Sequence, residues 1–167
     1  MALNAKQKQT ARNIARRAAL LGQHHAPAIH YTQSPTRWQG ISDTRFSEKG
    51  EFPNYADCSA FVTWCLWNAL FVKFKQADVV NGQNWKAGYT GTMLNHGSVV
   101  RNKSDVRWGD AVIYGRPGTT GEHTAIIVRV GTPRGSDLRV ISHGSEGGPY
   151  WLPYNYRSDI MCIRRYI

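Results

Sequence analysis

The chain has 167 residues, 41% of them hydrophobic, which is enough to bury one ordinary core, and we expect a single domain over residues 1–167. A net charge of +10 predicts attraction to polyanions. The basic residues are dispersed and no nucleic-acid recognition motif is present, so a specific DNA or RNA partner is not expected. Three cysteines without a pairing pattern exclude a disulfide framework.

Residues 1–22 are predicted to form a basic amphipathic helix, with Arg12 and Arg16 near its polar side and Gly22 at its end. The apolar side consists of Ile14, Ala18 and Leu21. No apolar stretch is long enough for a signal peptide or a membrane span. We therefore expect a soluble product that is made in the cytoplasm.

Residues 23–54 are predicted to be loop-rich, because prolines and glycines interrupt them, and to form one wall of a cleft. Cys58 follows, with a polar lead-in and an apolar run behind it, which predicts that it opens a helix. A helix N-terminus and a nearby histidine lower a thiol pKa below its free value of about 8.5. Cys58 is therefore our candidate nucleophile. Cys65 and Cys162 are interpreted as packing residues.

Residues 75–107 are predicted to be loop with one short helix, and residues 109–114 to be a strand. His123 begins the next strand and His143 ends the one after, with turn-forming residues between them. If the loop centres near Arg134, His143 lies opposite Ala125 and shares a sheet face with His123. An aromatic loop and a closing strand complete the prediction.

This arrangement predicts a division of roles. Cys58 attacks a carbonyl carbon, His123 takes and returns the proton, and His143 holds the His123 ring in orientation. The backbone N–H of Cys58, at a helix start, is a natural donor to the oxyanion.

Three sequence blocks resemble the NlpC/P60 cysteine peptidases, which belong to the papain-like group together with the CHAP amidases. The blocks are Asp57-Cys-Ser-Ala-Phe-Val62, Trp108-Gly-Asp-Ala-Val-Ile-Tyr114 and His123-Thr-Ala-Ile-Ile-Val128, followed by Ile141-Ser-His-Gly144. They lie in the family's order over residues 55–144. The main departure is Ala60, where the family usually has glycine.

The resemblance implies an α+β fold in which the nucleophile helix packs against a small antiparallel sheet. It also implies hydrolysis of a peptidoglycan stem peptide, commonly between D-γ-glutamyl and meso-diaminopimelate. Tyr31 is our candidate for the family's assisting tyrosine, and Asp57 and Ser59 are candidates for substrate contacts. Asp57 is equally well interpreted as a helix cap.

A softer resemblance connects the chain to peptidase domains in endolysins of phages that infect actinobacteria. It rests on the blocks 30–38, 88–94 and 142–146. It implies an enzyme that waits in the cytoplasm of the producing cell until it is released to the cell wall. Separately, we expect a monomer.

Other functions stay open at this stage. A zinc site is disfavoured, because there is no Cys-x-x-Cys and no His-Glu-x-x-His, and we expect no cofactor. A CHAP-like amidase or an acyltransferase would use the same fold and the same thiol. A non-catalytic, basic protein that binds cell wall or nucleic acid is the alternative from another class.

Overall fold

A helical layer packs on one face of a six-stranded antiparallel sheet. The computed structural model describes residues 2–116, 118–145 and 147–167, apart from the side chains of residues 47 and 48. The predicted α+β architecture, with the nucleophile helix against an antiparallel sheet, is confirmed. Among the described residues, no helix is both long enough and apolar enough to cross a bilayer.

The first half of the chain is mostly helical, and the described part of the second half carries six strands and one short α-helix. In order they are α1 (Ala5–His24), β1 (His30–Tyr31), the single turns α2 (Gly40–Asp43) and α3 (Phe46–Lys49), β2 (Tyr55–Ala56), α4 (Cys58–Trp67), α5 (Thr90–Leu94), β3 (Ser98–Val100), β4 (Ala111–Tyr114), β5 (His123–Arg129), β6 (Arg139–Gly144), β7 (Gly147–Pro153) and β8 (Ile160–Arg165). A π-helical turn, Asn68–Val72, continues α4. Strands β1 and β2 form a separate parallel pair.

Helix α1 begins with a capping box, in which the side chains and backbone N–H groups of Asn4 and Gln7 bond each other reciprocally. Its buried side is a stripe of small residues: Ala11, Ala15, Ala18, Ala19 and Gly22. The prediction that Arg12 lies on the polar side is wrong, since Arg12 is only 6% exposed. The helix also continues two residues beyond Gly22, its predicted end.

Helix α4 begins at Cys58, as predicted, and every one of its ten residues is buried. A helix that is apolar all round belongs inside a protein, and α4 lies between α1 and the sheet. Its first residue therefore reaches the surface only through a cleft at the end of the helix. Cys65 lies in the core, as interpreted from the sequence, and Cys162 is half-buried in β8.

The sheet has the strand order β3-β8-β4-β5-β6-β7. The predicted meander of β4, β5 and β6 and the closing strand β8 are all present. Strands β3 and β7 were expected to be loop. Both are edge strands, and an edge tolerates the glycines and the proline that open β7 because only one side of it needs hydrogen-bonding partners.

The register between β5 and β6 differs by one residue from the prediction. Arg129 faces Arg139, as a loop centred near Arg134 requires, but the register then shifts between Ile127 and Arg129. This β-bulge adds one residue to β5, so that every pair beyond it is displaced by one. Ala125 consequently faces Ser142 instead of His143.

The two faces of the sheet carry separate apolar clusters. Alternate residues such as Ile113, Ile126 and Ile141 pack with α1 and α4. Their strand neighbours Val112 and Ala125 pack in the second cluster, on the other face, with Tyr114. Because side chains alternate along a strand, the two clusters show which face of the sheet each strand residue near the site occupies.

We predict that Gly22→Val destabilises the fold. A Cβ atom at Gly22 would lie 2.6 Å from Cε2 of the buried Phe61 ring, and overpacking of this kind costs about 1–3 kcal/mol. Gly121→Val is the matched control, because the nearest atom to a Cβ there is 3.8 Å away. Urea unfolding measures both, and equal midpoints for the two variants would contradict the close packing of α1 on α4.

Candidate active site

The carboxylate of Asp57 organises the start of α4. Its Oδ1 accepts hydrogen bonds from the backbone N–H of Ala60 at 2.7 Å and from the hydroxyl of Ser59 at 3.0 Å. Its Oδ2 lies 3.3 Å from Nε of Arg37 in an ion pair. The capping interpretation of Asp57 is thus the one observed, and its carboxylate already has three partners.

The parallel pair of β1 and β2 brings Tyr31 to the nucleophile despite the long separation in sequence. Tyr31 pairs with Ala56, two residues before Cys58. The Tyr31 hydroxyl accepts a hydrogen bond from the side chain of Gln33 at 3.2 Å. Tyr31 therefore lies beside Cys58 because a strand pair, and not a short connection, carries it there.

The Cys58 thiol is held in its neutral form. Burial and, to a smaller extent, the negative charge of Asp57 raise the pKa of Cys58 to about 12, against the opposing effect of hydrogen bonds from the Thr124 backbone and the Thr90 side chain. The predicted lowering of this pKa is wrong for the resting structure. The helix N-terminus is present, but desolvation outweighs it because Cys58 is only 8% exposed.

Thr90 was not identified from the sequence as a site residue. It begins α5, is 1% exposed, and its hydroxyl hydrogen-bonds the Cys58 thiol. The one sequence signal was its place in the block 88–94 that resembles endolysin peptidase domains. That resemblance did not predict a chemical role for Thr90.

His123 lies at the start of β5. Its imidazole bonds one hydroxyl group, which in turn bonds a second. Its Nε2 is 2.7 Å from Oγ of Ser142, and that oxygen is 3.0 Å from the hydroxyl of Tyr156. The imidazole also lies 5.9 Å from the ring of Tyr114, its cross-strand neighbour. The orientation of the His123 ring is therefore fixed from the side of Nε2.

His143 lies on the opposite face of the sheet from Ser142. Its ring is 6.0 Å from that of Phe61 in α4 and 5.4 Å from that of Tyr31. The cause is the bulge in β5. It places Ser142, and not His143, opposite Ala125 and on the sheet face that carries His123. The sequence predicts that His143 orients the His123 ring, and in the structure the hydroxyl of Ser142 bonds Nε2 of His123.

Cys58 and His123 border two adjoining cavities of about 380 and 200 Å³. The first is lined by Cys58, Ser59 and Thr90, and the second by His123, together with Tyr156 and Arg157. Four residues line both: Tyr31, Gln33, Thr120 and Glu122. The predicted nucleophile, base, tyrosine and Ser59 therefore all face one groove, which we call the catalytic groove.

No group of three or more histidine, cysteine, aspartate or glutamate side chains that could hold a metal ion occurs in the described part of the chain. The groove offers instead a thiol, an imidazole and several hydroxyl groups. These groups suit nucleophilic attack on a carbonyl with transfer of one proton.

Residues 48–143, more than half of the chain, match the CHAP domain family. The chain belongs to this family. Its fold is also similar to those of two solved structures from Trichomonas vaginalis, NlpC2 and NlpC1, with TM-scores of 0.52 and 0.51 at 18% and 17% sequence identity. These matches cover 91% of this chain but 46% and 44% of the other two, so the chain spans less than half their length. Among curated proteins, none matches. The predicted NlpC/P60-like, papain-like fold is confirmed.

We predict that Asp57→Asn increases the reactivity of Cys58. The amide oxygen can still cap α4, but the negative charge that raises the Cys58 pKa is gone. In the unaltered protein, the rate of Cys58 labelling by iodoacetamide, followed by peptide mass spectrometry, should rise about tenfold per pH unit up to pH 10 without a plateau, because the thiolate is the reactive form.

Asp57→Asn should label faster at each pH, whereas Asp43→Asn, which removes the same charge at an exposed position, should label like the unaltered protein. A plateau below pH 9 in the unaltered protein would contradict a thiol held neutral by burial.

Proposed function

We propose that this chain is a peptidoglycan hydrolase that cleaves an amide bond of the stem peptide through the thiol of Cys58. The observation that carries the proposal is the catalytic groove, which a helix-opening cysteine and a strand-opening histidine border together in a CHAP-family chain. The bond between D-γ-glutamyl and meso-diaminopimelate is the specific target, as the resemblance to NlpC/P60 peptidases implies.

The reaction begins from a neutral thiol. Sγ of Cys58 attacks the carbonyl carbon of the scissile amide, and its proton passes to His123 as the carbon–sulfur bond forms. Because Ser142 bonds Nε2 of His123, we assign this proton transfer to Nδ1. The backbone N–H at the start of α4 stabilises the oxyanion.

The amide carbon–nitrogen bond then breaks, and His123 returns the proton to the leaving amine. Water, deprotonated by the same imidazole, hydrolyses the thioester and restores the thiol. Ser142 and Tyr156 act as positioning residues, since their linked hydroxyl groups hold the imidazole at Nε2.

The groove suits a polar peptide. Its shared lining contains a phenol, an amide, a hydroxyl and a carboxylate, from Tyr31, Gln33, Thr120 and Glu122. Ser59 lines the groove and is kept as a substrate contact, whereas Asp57 acts through the cap that it forms. The net charge of +10 favours approach to an anionic wall, in line with an endolysin-like enzyme released to the wall as a monomer.

A second candidate is a CHAP-like amidase, which the family match over residues 48–143 favours. It would attack the bond between the glycan and the first residue of the stem peptide with the same thiol and the same imidazole. Resolution of the thioester by an amine instead of water would make the enzyme an acyltransferase. The products distinguish these cases.

We predict that Cys58→Ala abolishes the release of soluble fragments from purified diaminopimelate-type sacculi, by about a thousandfold or more, because no other group can form the thioester. Cys162→Ser is the matched control, since Cys162 lies half-buried in β8 outside the groove.

Mass spectrometry of the fragments identifies the bond. A new amino terminus on diaminopimelate indicates the endopeptidase, and one on the first alanine indicates the amidase. A folded Cys58→Ala protein that still releases fragments would remove the thiol from the mechanism, and no release by the unaltered protein would contradict the hydrolase itself.

We predict that Ser142→Ala lowers kcat about 10- to 100-fold with little change in KM, because a loosened imidazole spends less time aligned with the thiol. Ser142→Thr, which keeps a hydroxyl group, should recover most of the activity. His143→Phe preserves a ring between Tyr31 and Phe61 and should retain most of the activity.

The rescue by Ser142→Thr, together with the unchanged KM, separates positioning from packing. A general loss of stability would instead lower the folded fraction, which circular dichroism measures. If His143→Phe were as inactive as His123→Ala, the orienting role would belong to His143, as the sequence predicts, and not to Ser142.

A further inference from the structure

A second cavity lies at the other end of β5 from the catalytic groove. It has a volume of about 240 Å³ and is lined by residues of α1, of the segment before β4, and of the β5–β6 loop: Gln9, Arg12, Arg107, Trp108, Val130 and Arg134. β5 begins at His123 and ends just before Val130, so seven steps of about 3.3 Å separate the two sites by roughly 23 Å. We call this cavity the arginine cavity.

Three guanidinium groups face the arginine cavity, and none of the aspartates or glutamates in the described ranges lines it. Asp110 is the carboxylate whose charge acts on Arg12, and other groups also engage it. It accepts two hydrogen bonds from Arg165, at 2.9 and 2.7 Å, and one from the backbone N–H of Arg107 at 2.8 Å. Among the described residues, the positive charge of the cavity is therefore only partly balanced.

Arg12 is the buried member of the three. It is 6% exposed, its Nη2 donates to the backbone oxygen of Ile167 at 3.0 Å, and its buried Nε has no hydrogen-bond partner among the described residues. Burial, together with the charges of Arg107, Arg165 and Arg134, lowers the pKa of Arg12, and the charge of Asp110 only partly opposes this. A buried charged donor without an acceptor destabilises the fold, and an anion supplied from outside would remove that penalty.

Other arginines of the chain are arranged differently. Ion pairs within the described residues join several of them to carboxylates: Arg37 to Asp57, Arg129 and Arg139 to Asp137, Arg157 to Asp159 and Arg165 to Asp110. No such pair is found there for Arg12, Arg107 or Arg134. Other arginines also have no such pair among the described residues, but these three line the same cavity.

The cavity is also held in shape before any ligand enters. Arg16 donates from Nε to the backbone oxygen of Val128 at 2.7 Å, and its guanidinium lies 4.6 Å from the centre of the Trp108 ring. Trp108 is thereby fixed as one wall of the cavity. Preformed walls reduce the ordering that binding requires.

We propose that the arginine cavity is a binding site for a phosphate group, either free or as the phosphodiester of a polyanion. Guanidinium groups bind phosphate oxygens through paired, charge-assisted hydrogen bonds, and three of them converge here. Gln9 and Trp108 supply an amide and an aromatic face for whatever carries the phosphate. The site lies too far from Cys58 to hold the bond that is cut, and the proposal does not rest on the hydrolase function.

Isothermal titration calorimetry of the whole protein at low ionic strength tests this site. The probes are inorganic phosphate and dimethyl phosphate, with chloride as the reference anion. We expect binding of phosphate beyond any effect of chloride. Binding of dimethyl phosphate as well assigns the site to phosphodiesters, and binding of inorganic phosphate alone assigns it to free phosphate.

The test variant is Arg107→Gln with Arg134→Gln, because both side chains are exposed and their replacement leaves the core intact. Its affinity for phosphate should fall at least about tenfold, since two charge-assisted donors are lost. Lys73→Gln with Lys86→Gln removes the same charge from exposed positions outside the cavity and should bind like the unaltered protein.

Thermal unfolding gives an independent measurement. At constant ionic strength, phosphate should raise the Tm of the unaltered protein and of the lysine variant, but not that of the arginine variant. Equal binding by both double variants, or no response to phosphate beyond that to chloride, would overturn the proposal.

Discussion

The active site depends on one carboxylate, that of Asp57. It satisfies the first turn of α4, holds the hydroxyl of Ser59, and pairs with Arg37 from the loop before it. A cap of this kind stabilises a helix by about 0.5–2 kcal/mol. Removal of either Asp57 or Arg37 would also leave the other charge without its ion-pair partner, which is destabilising. The same negative charge raises the pKa of Cys58, so the group that secures the nucleophile helix also keeps its thiol protonated.

The two layers of the protein meet at the start of β5. Thr124 points toward α4 and its backbone reaches the Cys58 thiol, whereas His123, one residue earlier, points to the other face and reaches Ser142. Consecutive residues of the strand therefore face opposite sides of the sheet. At the end of the strand, both sides are accessible from the catalytic groove. One groove can therefore be bordered both by Cys58, from the helical layer on one side of the sheet, and by His123, which faces the other side.

Local patterns in the sequence were sufficient to predict the start of α4, its cap at Asp57 and the central meander, because capping and alternation involve only near neighbours. The bulge in β5 was not predictable, since an inserted residue leaves the alternation on either side intact and only changes which residues face each other. It moved the hydrogen bond to His123 from His143 to Ser142. The burial of Arg12 was missed for a related reason, because helical periodicity reports the side of a residue and not the reach of a long side chain.

The burial of Cys58 also affects how readily its thiol is oxidised. Oxidation by peroxide and exchange with disulfides both begin from the thiolate, which this site suppresses at neutral pH. The resting nucleophile should therefore persist in aerated surroundings without a reducing partner. A catalytic cysteine of low pKa, exposed in the same place, would be consumed before it met its substrate.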